Sequence, residues 1–367
     1  MIVIKEQFKC CGCSACEQCC PKYCITLKAD QQGFLYPETD SEECINCGLC
    51  EQVCPMLQLN CSREPLAANA VINPNESIRL KSSSGGVFTA IAEHVIKNGG
   101  VVFGARFNEQ WEVVHDYTET VDGLAAFRGS KYVQSRIGNC YLKVEEFLKQ
   151  DRYVLFTGTP CQVSGLKHFL RKEYDKLLAV DVACHGVPSP LVWKEYIENK
   201  QPKHISFRDK KLGWKKFSMR IDNYSNYHQK DCFMTCFLSN LSLRPSCFNC
   251  QFKAGASGCD LTLADFWGVT DIAPHLDDDK GISVVLSYSY KGKEFLKKIN
   301  LTLIGVNSNK VYTHNSAILC SVKKPQDYNA FWQDFYKSGK RAIYKWGKKQ
   351  MVSPIIIIKS FIYRFLH

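Results

Sequence analysis

Residues 10–21 read CCGCSACEQCCP and residues 44–55 read CINCGLCEQVCP. In each stretch a cysteine triplet with two-residue gaps is followed by a cysteine set against proline: Cys10, Cys13, Cys16 and Cys20, then Cys44, Cys47, Cys50 and Cys54. Three thiolates so spaced can wrap three corners of one iron–sulfur cubane, while the chain reversal carries the fourth away. Zinc is the competing reading, because CxxC pairs also build tetrahedral zinc sites. Those sites use two ligand pairs, however, and not a triplet plus Cys-Pro given twice.

This doubled motif resembles the bacterial two-cluster ferredoxins. In such pairs the fourth cysteine ligates the other cluster. The resemblance therefore implies two [4Fe–4S] clusters, one on Cys10, Cys13, Cys16 and Cys54 and one on Cys44, Cys47, Cys50 and Cys20. Cys11, Cys19, Cys24 and Cys61 are surplus and read as packed thiols. Because Cys10/Cys11 and Cys19/Cys20 are adjacent, a ligand shift by one position stays open. Residues 1–62 form this module, and so short a segment is expected to lean on its clusters for stability.

Working outward, the chain has 367 residues, too many for a lone ferredoxin, and 12 of its 21 cysteines fall before residue 62. The start MIVIKEQFKCC has neither an apolar run nor a cleavage site, so a reducing cytoplasm is the expected compartment and metal ligation the expected use of the thiols. With 45% hydrophobic and 23% charged residues, wholesale disorder and a polytopic membrane protein are unexpected. The net charge of +11 invites a nucleic-acid partner. Eight Lys/Arg without an acid lie between Phe335 and His367, however, leaving +3 for the first 334 residues. The expectation is no nucleic acid. The basic, aromatic tail 326–367 reads either as a helix packed on the domain or as a peripheral contact with the inner membrane face.

Residues 66–200 alternate helix and strand. IAEHVIKNGG (91–100) reads as a helix ending in glycine, VVFGARF (101–107), YVLF (153–156) and LLAVDVAC (177–184) as strands, and QVSGLKHFLRKEY (162–174) as a helix. Residues 201–325 carry shorter strands and read as mixed α+β. Ser83, Ser84, Gly85 and Gly86 in SSSGG precede a helical pattern, which suits a phosphate at a helix N-terminus or simply a serine-rich cap. YVLFTGTPCQ (153–162) runs a buried strand into a Gly/Pro turn, placing Gly158, Thr159 and Gln162 where open α/β sheets bind ligands.

Taken together, SSSGGVFTAIAEHVIKNGGVVFGARF, RGSKYVQS, VLFTGTPCQVSGLK, VDVACHGVPSPLVW, RPSCFNCQF and DLTLADFWGV resemble the beta subunits of coenzyme F420 hydrogenase and dehydrogenase, here preceded by a ferredoxin module. The fold class implied is α+β followed by α/β: a ferredoxin-like module and a mixed α/β flavin domain. The resemblance also implies a bound FAD and a third [4Fe–4S] cluster. Four cysteines stand inside the matching motifs, Cys161, Cys184, Cys247 and Cys250, and they are the candidate ligands of that cluster. Cys259 competes for one place, and the CFNC pair could instead hold zinc or act as a dithiol.

For the flavin, Ser83, Ser84, Gly85 and Gly86 are candidates for the pyrophosphate, with Ser130, Lys131 and Tyr132 nearby. Lys131 would bring positive charge to the ring, and Gly158, Thr159 and Gln162 would approach the ring or ribityl chain. His185 is a candidate proton relay or a satisfied structural group. Asp260, Asp265 and Trp267 are read as organising a turn. The resemblance implies an oxidoreductase in which a one-electron partner such as a ferredoxin or flavodoxin feeds the clusters, and FAD exchanges a hydride with a small substrate or a deazaflavin-type cofactor. Ferredoxin-fused relatives also occur with surface-polysaccharide pathways. A non-catalytic electron-transfer subunit and a zinc-binding nucleic-acid protein are the rival readings.

Overall fold

The computed structural model describes residues 1–351. Near the N-terminus, β1 (Ile25–Ala29) and β2 (Leu35–Thr39) pair as an antiparallel hairpin. Asp30 Oδ1 accepts from the Gln32 and Phe34 amides, an Asx turn that closes the loop. Two one-turn helices, Ala15–Gln18 and Leu49–Gln52, carry Cys16 and Cys50.

Beyond this module come β3 (Ala67–Ile72), β4 (Val101–Phe107), β5 (Val113–Thr118), β6 (Val154–Gly158), β7 (Leu177–Val182), β8 (Ile205–Asp209), β9 (Ser218–Ile221), β10 (Tyr224–Tyr227), β11 (Leu261–Asp265), β12 (Ser283–Ser287) and β13 (Thr302–Gly305). Eight of them form one sheet in the order β13-β3-β12-β11-β7-β6-β4-β5. β4, β6, β7 and β11 are mutually parallel neighbours, and β3 runs with them because β12 is antiparallel to both β3 and β11. The carboxyl ends of five strands therefore share one edge, which is where the motifs quoted above fall. β8, β9 and β10 make a separate antiparallel sheet.

The strand at 101–107 ends where its apolar run ends. The helix expected over 162–174 spans Pro160–Leu170 instead, starting earlier on a Thr159/Gln162 capping box and stopping at Arg171, whose φ of 55° leaves the helical region. The strands of the 201–325 segment were expected only as short pieces. Three of them, β11 to β13, return to complete the main sheet.

Apolar side chains fill both sheet faces. Tyr141, Phe156 and Phe169 pack together on one face, each burial contributing roughly 1.5–3 kcal/mol. Cys11, Cys13, Ala15 and Val53 share that core, so the change of composition near residue 62 is no gap in packing. A second core gathers Trp193, Phe207, Phe233 and the helices Tyr328–Ser338 and Lys340–Met351. Through residue 351 the expected tail is thus docked: Trp332, Phe335 and Trp346 are buried against the domain and are withheld from any lipid surface. The remainder of that basic stretch, including Lys359 and Arg364, lies outside the described residues. Among the described residues no helix is long and apolar enough to cross a membrane.

Candidate redox centre

Left-handed backbone at Gly12 (φ 70°), Ser14 (φ 65°) and Gly48 (φ 74°) turns each cysteine triplet back on itself. Cys16 has Cys10 and Cys54 as electrostatic neighbours, and Cys13 has Cys16 and Cys54, so one quartet draws its fourth member from the second repeat. Burial, with those neighbouring thiols, pushes the Cys16 thiol up. Cys20, Cys44, Cys47 and Cys50 line a common pocket together with Cys24. Cys24 Sγ lies 3.4 Å from Cys20 Sγ, and that contact pushes its thiol up to about 11. Cys47 is exposed, which makes this second quartet the outward one.

A third quartet forms on the sheet edge. Cys161 opens the helix after β6, Cys184 follows β7, and Cys247 and Cys250 sit in and just beyond the 3-10 turn Pro245–Asn249. Cys247 has Cys184, Cys161 and Cys250 as charge neighbours, and Cys184 has Cys161 and Cys250. Burial pushes the Cys184 thiol up to about 12, against the pull of the nearby Lys253 ammonium. The Thr159 hydroxyl lies 3.2 Å from Cys161 Sγ, and the Val187 amide donates to Cys247 Sγ at 3.4 Å. The helix N-terminus at Cys161 adds positive potential suited to thiolates. Cys259 is not among these neighbours: its Sγ lies 3.4 Å from Thr262 Oγ1 beside Asp181. Cys11 lies between the first and third quartets, next to both Cys13 and Cys161.

Among the described residues no three His, Cys, Asp or Glu donors converge as they would on a single ion. The two quartets of the N-terminal module each join a closely spaced triplet to a cysteine of the other repeat, the ligand pattern of a two-cluster ferredoxin. The donor chemistry fits iron–sulfur ligation at all three quartets, with the thiol protons released on assembly.

The serine/glycine turn lies on the same edge. Gly85 is wedged where a Cβ would meet Val71 O at 2.5 Å and Ser283 N at 2.7 Å, and its amide donates to Ser283 Oγ. Ser84 Oγ donates to Ile282 O, while Ser83 Oγ accepts from the Ser130 amide and hydroxyl at 2.7 and 3.0 Å. Gly86 then opens the helix Val87–Lys97 with no side-chain cap, so a buried N-terminus keeps first-turn amides for an anion.

Cations that the sequence did not reveal surround this turn. Arg208, buried, donates to Asp265 Oδ2 at 2.8 Å and Tyr132 Oη at 3.2 Å, and its Nε is buried without a partner. Lys210 donates to the carbonyls of Arg79, Ser84 and Lys280, and burial pulls it down to about 7. Asp265 also accepts from Trp214 Nε1, and Trp214 stacks on Trp267 at 4.8 Å. The helix end without a cap and the orphaned Arg208 guanidinium nitrogen fit the pyrophosphate of a dinucleotide such as FAD. Their one sequence signal was DLTLADFWG; FRDKK (207–211) carried none.

Several expected contacts go elsewhere. Lys131 spends its three N–H donors on the carbonyls of Ala126, Phe127 and Arg128, closing the short helix Leu124–Phe127, and burial pulls it down to about 7. Its ammonium is held by that helix end. Gln162 is folded back under Gly158, its Oε1 accepting from the Thr159 amide and its Nε2 donating to Ser135 Oγ. His185 bonds Asn240 Oδ1 at 2.7 Å and meets the Phe237 ring edge-on. Asp260 accepts from the Ala179 amide and the Ser289 hydroxyl at the far end of β11.

Comparison with known proteins gives two family matches. Residues 151–305 match the family model for the C terminus of the coenzyme F420 hydrogenase/dehydrogenase beta subunit, and residues 9–57 match that for the 4Fe-4S dicluster domain. Among solved structures, the F420-reducing [NiFe] hydrogenase complex from Methanosarcina barkeri aligns at 14% identity with a TM-score of 0.49, over 70% of this chain and 90% of that one. No curated protein matches.

Proposed function

We propose that this chain, which joins a 4Fe-4S dicluster domain to the C-terminal domain of a coenzyme F420 hydrogenase/dehydrogenase beta subunit, is an iron–sulfur flavoprotein oxidoreductase. When bound, the clusters carry single electrons and FAD converts between one- and two-electron chemistry. In this reading Cys10, Cys13, Cys16 and Cys54 hold one cluster, Cys20, Cys44, Cys47 and Cys50 the outward one, and Cys161, Cys184, Cys247 and Cys250 the third. The Ser83–Gly86 turn, with Ser130 and Tyr132, holds the dinucleotide at the helix N-terminus. Arg208 and Lys210 buttress the turn from beneath, and Gly158 and Thr159 bring backbone to the same edge.

The single observation that carries the proposal is the continuity of thiols. Cys11 touches both Cys13 and Cys161, and the helix bearing Cys161 rises from the sheet edge that also carries the turn. Exposed Cys47, with exposed Ile45 lining the same pocket, is the side on which a ferredoxin or flavodoxin would dock. The substrate is a small molecule or deazaflavin-type cofactor that takes or gives a hydride at the flavin.

Anaerobic purification with metal and flavin analysis tests this. The expected content is about twelve irons and about one FAD per chain, with flavin bleaching on substrate. About eight irons would remove the third cluster, and zinc without iron would sink the reading.

A further inference from the structure

Arg244 is the largest buried cation outside the flavin edge, with 1% of its surface exposed. Its three hydrogen bonds all go to neutral acceptors: Nε to Cys10 O at 2.8 Å, Nη1 to Gln134 Oε1 at 3.0 Å and Nη2 to Leu35 O at 2.8 Å. The guanidinium lies 4.3 Å from the Tyr36 ring centroid and 5.4 Å from that of Phe34. Asp30 lies within its field but makes no ion pair with it. A buried charge without a counter-ion carries a large desolvation cost, and such groups are normally paired.

The charges that face Arg244 are those of the cysteines. Cys10, Cys11 and Cys247 are its electrostatic neighbours, and Cys161 feels it as well. Two of these belong to the third quartet and one to the first. The outward quartet is not among its neighbours. Backbone bonds fix the position from both sides, since the Arg244 amide donates to Val187 O and its carbonyl accepts from the Cys247 amide. Gly12 makes room for it: a Cβ there would lie 2.7 Å from Arg244 Nη1, at a φ of 70°.

We infer that Arg244 is the shared counter-cation of the Cys10/Cys13/Cys16/Cys54 and Cys161/Cys184/Cys247/Cys250 clusters, raising both reduction potentials relative to the outward cluster. A four-thiolate [4Fe–4S] cluster carries about −2 when oxidised and gains one more negative charge on reduction, so a buried cation favours the reduced form. Arg244 is a positioning residue: it acts on the electrons through the field, while its fork ties the N-terminal module to the 3-10 turn that bears Cys247. The role rests on the three-cluster reading given above.

The test is an anaerobic potentiometric titration, followed by electron paramagnetic resonance, of the full chain and two variants. Arg244→Gln removes the charge. Gln134→Glu keeps the guanidinium and sets a carboxylate against Nη1, cancelling the charge if Arg244→Gln does not load its iron. In either variant the reduced-to-oxidised ratio of the first and third clusters at fixed potential should fall at least tenfold, equal to a drop of about 59 mV for one electron, while the outward cluster stays within twofold. Ratios within twofold at all clusters, or an equal fall at all three, would overturn the role. Iron content of the wild-type chain reports separately on the three-cluster reading: about eight irons would fail that reading and the shared role with it, whatever the variants do.

Discussion

Cys13 packs its side chain onto the backbone of Gly165, where a Cβ would lie 2.7 Å from Cys13 Cβ and 3.0 Å from its Sγ. Gly165 stands inside the helix Pro160–Leu170, whose first turn carries Cys161. One helix thus touches the first quartet with its middle and supplies the third quartet from its start. In an exposed helix, alanine would be favoured over glycine by roughly 0.5–1 kcal/mol. At this close approach the order reverses, since overpacking a tight contact costs about 1–3 kcal/mol. Gly165→Ala should lower thermal stability and reduce iron occupancy of the first cluster. An unchanged iron content with an unchanged melting temperature would show that the contact is slack.

The third quartet separates from its competitor by substitution. Cys247→Ser or Cys250→Ser should reduce the iron content from about twelve to about eight per chain. Cys259→Ser and Cys140→Ser should leave it unchanged, because neither thiol is among the neighbours of that quartet. Loss of iron on Cys259→Ser alone would reassign the fourth ligand.

In the outward quartet, Cys24 stands 3.4 Å from Cys20. Cys24→Ser should retain the cluster, Cys20→Ser should retain part of it through Cys24, and the double variant should lose about four irons. Full retention in the double variant would place the ligand elsewhere.

Arg208 and Lys131 are expected to behave differently toward flavin. Arg208→Met leaves the half-buried Asp265 without its 2.8 Å partner and removes the orphaned Nε, so FAD retained after gel filtration should fall at least tenfold while iron content holds. A fully buried charge left alone costs about 3–5 kcal/mol and a half-buried one less, so the melting temperature should fall too. Lys131→Met should weaken the short helix it closes yet retain most of the FAD. Equal flavin loss in both would give Lys131 the role that its carbonyl bonds argue against.

Acid should unfold the chain through two buried histidines. Burial holds His115 at about 4 and His228 at about 4, against 6.5 for an exposed ring. Protons therefore bind the unfolded chain preferentially, and stability present above pH 6.5 is lost as pH falls toward 4, by up to roughly 3 kcal/mol for each ring. His115 bonds Ser135 Oγ and Thr157 O, so His115→Gln should be less stable at neutral pH yet lose less between pH 7.5 and 5. Anaerobic denaturant midpoints at the two pH values measure this, and equal slopes for wild type and variant would count against it.

The ligand chemistry of the N-terminal module was legible because it is local. Triplets with two-residue gaps and a following Cys-Pro dictate how a short loop must turn, whatever surrounds it. The strands at 101–107, 153–156 and 177–184 were legible for a similar reason: short runs rich in Val, Leu and Phe, flanked by glycine or charge, favour strands over helices. Resemblance, and not spacing, singled out Cys161, Cys184, Cys247 and Cys250, since no local period links residues so far apart in the chain.

Sequence by itself therefore determined the paired cluster motifs of the N-terminal module and the α/β alternation of the segment that follows it. Only the tertiary structure decided that β3 inserts between β12 and β13, that Cys11 lies between two quartets with Arg244 buried beside them, and that Arg208 is buried against the serine/glycine turn. Lys131 and Gln162, which the resemblance recommended for the cofactor, bond backbone carbonyls and the Thr159 cap. The physical reason is the same in each case. A charged or polar side chain has no period to betray its environment, and its partner is chosen by sheet register and helix packing across hundreds of residues.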